Sequence, residues 1–294
     1  MDRRLNNRPA NLEELFKQTT IKMNTFKSLM TLSVALLSLH PYPENKGGSH
    51  VAHKKCKDEN RSSYFKLDLK KDEKIGNVFS RTISFKGEGF TEVVHRVGGT
   101  GIYTVVDPNP DKPAFTGIFR YDGRPEISNK VEISEHGKVC RYDGKEITNT
   151  DGSGVLFNSF IWGTPPADLH PGDTWTVNIA QPWELGGPGL QTVSVMETDP
   201  ANHTIRLKRE GKGSGFFDND MHQLMVTTKD GKTVKMDITP GDSHWTGYTT
   251  FKNGLVISDE LVVTRPVTLT SDGLKFTASQ REYILLNEMP ANSL

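Results

Sequence analysis

Cysteine is scarce: Cys56 and Cys140 are the only two in 294 residues. At most one disulfide can form, so a disulfide-stapled scaffold is excluded, and the spacing leaves open whether these two pair. Net charge is lacking as well, because 36 basic residues offset 36 acidic ones. That balance gives no electrostatic footprint for nucleic acid or an anionic membrane surface. No apolar run reaches the roughly 18 residues of a membrane-crossing helix. Gly-x-Ser-x-Gly, a phosphate loop, His-Glu-x-x-His and Cys-x-x-Cys are all missing, so no cofactor is expected and no reaction class is named by motif. Cys140 has no helix start or basic cluster beside it to favour a thiolate.

What is present begins with a leader. Leu29–Leu39 reads LMTLSVALLSL behind Lys22 and Lys27, which fits the apolar core of a secretory signal. Met23 reads as its natural start. Residues 1–22 are then an extension, 23–40 the signal-like segment and 41–75 a polar linker, and the protein is expected to be exported. Asn11–Lys17 could form a short capped helix. His50, His53 and Cys56 are spaced three apart but lack a fixed fourth ligand, so no metal is expected. Asn60-Arg61-Ser62 and Asn202-His203-Thr204 match a glycosylation acceptor too short to decide anything.

From Val78 almost every run reads as strand. VFSRTISF, GIYTVVD, AFTGIFRY and HTIRLKR are rich in β-branched and aromatic residues and are separated by Gly, Pro, Asn and Asp turns. Asp-Gly at 122–123 and 143–144 are favoured hairpin turns. The expected fold is all-β, an antiparallel barrel, half-barrels or sandwich of about a dozen strands over residues 76–290. A Pro- and Trp-rich stretch near 155–190 could join two halves. Trp175 and Trp245 are expected in the core. Pro-rich surroundings leave Trp162 and Trp183 as candidates for exposure.

The last third carries the candidate site. Asp272-Gly273 as a two-residue turn pairs Leu269 with Phe276, Val267 with Ala278 and Leu261 with Ile284, which makes one face apolar. Arg265, Gln280 and Glu282 then fall on that apolar face. Asn253-Gly254 as the preceding turn places Tyr248 opposite Asp259, His244 opposite Val263 and Asp242 opposite Arg265. Buried charges are costly unless paired. The cluster is therefore either a bonded network that pins the register or a polar patch where Arg265 grips an anionic group. Asp220 and His222 form a second carboxylate–imidazole pair, more simply read as strand-edge polar residues.

The first expectation is a protein that binds a small or amphiphilic ligand in a β cavity through Arg265, Gln280, Glu282, His244, Asp242, Tyr248 and Asp259. The alternatives are a carbohydrate-active or other hydrolase using His244 with Asp242 or Glu282, and a structural or surface-assembly module.

Overall fold

The computed structural model describes residues 62–134, 139–148, 155–180, 182–183, 185–216, 222–290 and 293. The signal-like run, the Asn11–Lys17 helix, the His50/His53/Cys56 group and Asp220 lie outside them.

Fourteen strands form one antiparallel sheet: β1 Lys74–Gly87, β2 Val93–Asp107, β3 Ala114–Tyr121, β4 Ile127–Ser134, β5 Val139–Tyr142, β6 Lys145–Thr148, β7 Thr174–Ile179, β8 Gly189–Asp199, β9 Thr204–Gly213, β10 Gln223–Thr227, β11 Thr233–Pro240, β12 Ser243–Lys252, β13 Leu255–Ser271 and β14 Leu274–Glu288. The all-β expectation holds. The barrel option does not, because the sheet runs β6-β5-β4-β3-β2-β1-β14-β13-β12-β9-β8-β7 without closing. The end strands β6 and β7, and β10 on the branch, are edges that a closed barrel would not have.

β13 is the spine. Its first part pairs with β12 and its last part with β11, so the sheet forks there. The fork sits at Pro266, where the Gly241 amide donates to the Pro266 carbonyl at 2.7 Å. Proline has no amide to give to a ladder, which suits a point where one partner ends and another begins. The β10–β11 branch meets the tip of the β1–β2 hairpin through a bridge between Phe90 and Thr228. Phe85, Phe90, Val226, Met236 and Leu269 form the apolar core beneath it.

The larger core lies against β7–β9 and β12–β14, where alternate residues are buried in the period-2 pattern of a sheet with one covered face. Its cover is the crossover of residues 155–188. Phe157, Ile161, Trp162, Leu169, Trp183 and Leu185 of that crossover are all buried there. Trp162 and Trp183, the two candidates for exposure, are thus core residues. Proline breaks regular structure without making a segment polar, and this one is apolar enough to be swallowed by the sheet.

The folded part also starts earlier than the polar linker reading implies. Phe65 is in the core, 4.7 Å from the Phe157 ring centroid and 5.3 Å from that of Phe251. The Gly254 amide donates to the Tyr64 carbonyl at 2.9 Å. Tyr64, Phe65, Leu67 and Leu69 were masked in the sequence by the lysines and aspartates between them.

Candidate functional site

The β13–β14 hairpin has the expected register. Ser271 pairs with Leu274, Arg265 with Gln280 and Leu261 with Ile284. Arg265, Gln280 and Glu282 accordingly lie on the buried face, each no more than 2% exposed. Arg81 of β1 joins them in an ion pair with Glu282. Arg265 approaches the same carboxylate at 3.9 Å and donates to the Phe216 carbonyl at 2.8 Å. Burial, and then the neighbouring Arg81, push the Arg265 guanidinium down to about 10, so it stays charged at neutral pH. Gln280 Oε1 has no hydrogen-bond partner among the described residues.

The β12–β13 hairpin departs from expectation. It leaves its turn as predicted, with Lys252 opposite Leu255 and Phe251 opposite Val256. Asn253 and Gly254 both have positive φ, 50° and 77°, as a tight two-residue turn of this hand requires. Then the register shifts between Thr250 and Phe251: Thr250 pairs with Ser258, and Ile257 is an extra residue in β13. One extra residue reverses the facing of everything beyond it. Tyr248 therefore lies opposite Glu260 rather than Asp259, and His244 opposite Thr264 rather than Val263. Asp242, His244 and Tyr248 are exposed, away from Arg265 and Glu282. The proposed convergence of His244 and Asp242 on Glu282 is not formed.

Asp259 stays on the buried face with other partners. Arg209 of β9 clasps it with one nitrogen at 2.9 and 2.7 Å to the two carboxylate oxygens, and Thr249 Oγ1 donates to it at 2.5 Å. Both charged side chains are essentially inaccessible. The Arg209 guanidinium also lies 5.0 Å over the Trp162 ring, a cation–π contact that ties the crossover to the sheet.

Other inward polar groups fasten the same segment. Its helix, α1 (Ser159–Trp162), is a single turn capped by Asn158, whose side chain accepts from the Phe160 amide at 2.9 Å. At the far end two carbonyls need donors. Gln191 Nε2 serves Ile161 and Trp175 Nε1 serves Trp162, each at 2.8 Å. Gln191 in turn accepts from Trp245 Nε1 at 2.9 Å. The Trp245 ring occupies the space above Gly211, where a Cβ would fall inside the indole.

The outer face offers a different setting. An open groove of about 450 Å³ is lined by Glu197, Thr198, Asp199, Thr204, Arg206, Tyr248, Thr250, Ser258 and Glu260. Bulges flank it, one at Ile257 and the other at Met196, where Val195 pairs with Leu207 but Glu197 with Arg206. Bulges bend and twist a sheet locally and re-aim side chains. Arg206 lies 5.1 Å over the Tyr248 ring and 3.8 Å from Glu197. Tyr283 donates to Glu260 at 2.9 Å, and that bond raises the phenol's pKa. At the groove's end Asp199 accepts from the Asn202 amide at 3.2 Å and from its side chain at 2.7 Å, which lowers its carboxyl pKa.

Of the expected site residues, Tyr248 alone lines this groove. Its partners there, Glu197, Asp199, Arg206 and Glu260, were missed because they come from three other strands whose adjacency depends on two bulges. Arg81 and Arg209 could have been found: they alternate in step with Phe79, Ile83 and Phe85, and with Ile205 and Leu207. Among the described residues no group of three or more His, Cys, Asp or Glu side chains could hold a metal ion, and no helix is long and apolar enough to cross a membrane.

No family model matches the chain. No curated protein matches it either. One solved structure, described as lipid–protein interactions in lipovitellin, is similar to it with a TM-score of 0.35 and 10% identity, covering 76% of this chain and 26% of that one. The chain thus spans about a quarter of that structure's length. What the protein does has to be read from its own geometry.

Proposed function

We propose that the protein is a binding protein whose ligand lies in the outer groove beside Tyr248. The observation that carries this is the contrast in how charges are used. On the buried face, Arg209, Asp259, Arg81 and Glu282 are engaged in ion pairs with each other. In the groove, carboxylates, hydroxyls, a guanidinium and an aromatic ring converge around open space. Convergent polar groups around a concavity are the usual form of a ligand site. The earlier assignment of the ligand to Arg265, Gln280 and Glu282 is the second reading. A ligand there would have to reach side chains that are almost wholly buried.

The test is a thermal-shift screen with neutral oligosaccharides, fatty acids, nucleotides and spermine, run on the wild type and on Tyr248→Ala. A groove ligand raises the wild-type Tm, loses that effect in Tyr248→Ala, and leaves tryptophan emission unchanged. A fatty acid that stabilises both proteins and shifts tryptophan emission would move the site to the inner face. Export is part of the same proposal and rests on the segment Met23–Leu39. Recovery of the mature chain from cells with that segment intact would count against it.

A further inference from the structure

We infer that the groove takes a neutral, polyhydroxylated ligand, a saccharide chain several rings long. This rests on the groove reading above and adds the ligand class. Charge narrows the choice, and the hydroxyl-rich lining makes it. Glu197, Asp199 and Glu260 surround the space, so an anionic ligand meets three carboxylates. Arg206, held over Tyr248 and beside Glu197, offsets one of those charges and places a like charge in the path of a cation. Each carboxylate already has a partner: Arg206 as an ion pair for Glu197, Asn202 as a donor to Asp199 and Tyr283 as a donor to Glu260. Their charge is thereby partly answered, while each keeps further lone pairs that accept hydroxyl hydrogens.

A neutral polyol fits what remains. Thr198, Thr204, Thr250 and Ser258 line the groove, and hydroxyls both donate and accept, as sugar hydroxyls do. Tyr248 is 36% exposed and supplies the apolar edge against which the C–H face of a ring can rest.

Size points to a chain rather than one ring. Glu260 shares a row with Tyr248, Lys208 and Ser194, whereas Asp199 shares one with Thr204 and Lys252. The two carboxylates are therefore three strands and four positions apart, roughly 19 Å by strand spacing and rise.

The experiment is isothermal titration of the full-length protein with linear tetrasaccharides of glucose, N-acetylglucosamine and xylose, alongside spermine and tetragalacturonate. Tyr248→Ala and Glu260→Gln are run in parallel, with Tm measured for each. The expected result is that a neutral tetrasaccharide binds, that Tyr248→Ala weakens it about tenfold, and that Glu260→Gln weakens it less, with Tm unchanged. Capture of spermine or tetragalacturonate in place of the neutral chains, lost in Tyr248→Ala, overturns the ligand class and leaves the groove standing. A neutral tetrasaccharide that binds both variants as tightly as the wild type overturns the groove itself. Failure of every neutral saccharide at millimolar concentration overturns the saccharide inference, and the thermal-shift screen then decides the groove separately.

Discussion

β13 pairs with β14 along one side and with β12 along the first part of the other, and the two pairings differ in one residue. With β14 it keeps a single register from Ser271↔Leu274 to Ser258↔Asn287. With β12 it starts in the register the turn dictates and loses it at Ile257. A turn fixes pairing only as far as the first bulge. β12 alternates without a break, with Ser243, Trp245, Gly247, Thr249 and Phe251 inward and His244, Thr246 and Tyr248 outward, and the extra residue changes the phase of β13, so that Val256 and Asp259 both face inward. The bulge thus decides which face each candidate residue serves. It gives Asp259 a threonine and an arginine as partners and sends Tyr248 to the groove.

Deleting Ile257 should have the largest effect on this comparison. Without the extra residue, β12 must either turn over, burying His244 and Tyr248 while exposing Trp245, or strain its turn. We expect a loss of more than about 4 kcal/mol, at the upper end for a single change, read as the urea midpoint. A loss under about 1 kcal/mol would mean that the pairing tolerates both registers.

Next in size is Asp259→Ala, which leaves Arg209 buried without its carboxylate. Removing one partner of a buried pair typically costs about 3–5 kcal/mol. Arg209→Met combined with Asp259→Leu removes both charges, and its loss should be much smaller. If single and double replacements cost the same, the pair contributes through packing on Trp162 and not through charge.

How far the sequence carried follows from the same strand. The β13–β14 register, the buried placement of Arg265, Gln280 and Glu282, and the all-β class could be read from two glycine turns and an alternation. The β12 facing was legible too, since Trp245 and Phe251 share a parity that excludes Tyr248 from the core. The turn rule overrode that signal. The groove was not legible. Glu197 and Arg206 face each other only because Met196 is bulged out, and nothing in VMETD announces an unpaired residue. Trp162 and Trp183 were left as candidates for exposure for a third reason: prolines signal irregular backbone, which is correct, but burial follows from apolar area.

A smaller effect belongs to His95 on β2, opposite Ile83. Burial lowers its pKa from the usual 6.5. The unfolded chain therefore takes up a proton at a higher pH than the native one. Stability attributable to His95 is complete above about 6.5 and is lost as pH falls from there through the depressed native value. His95→Gln should flatten the decline of the urea midpoint with acidification below pH 6.5. An unchanged slope would place the acid sensitivity elsewhere.

The smallest expected change in stability comes from Tyr248→Ala, and that smallness is what gives it meaning. Tyr248 lies beyond the bulge on the outer face, where it is exposed and its ring meets the exposed Arg206. Surface substitutions of this kind stay within about 0.5 kcal/mol. Had the turn register persisted, Tyr248 would pack opposite Asp259 and its removal would open a cavity costing about 3–5 kcal/mol. One denaturation curve therefore separates the two registers. If Tyr248→Ala is nearly neutral, its aromatic ring is not needed for the fold, and any loss of ligand in that variant reports on the groove and not on stability.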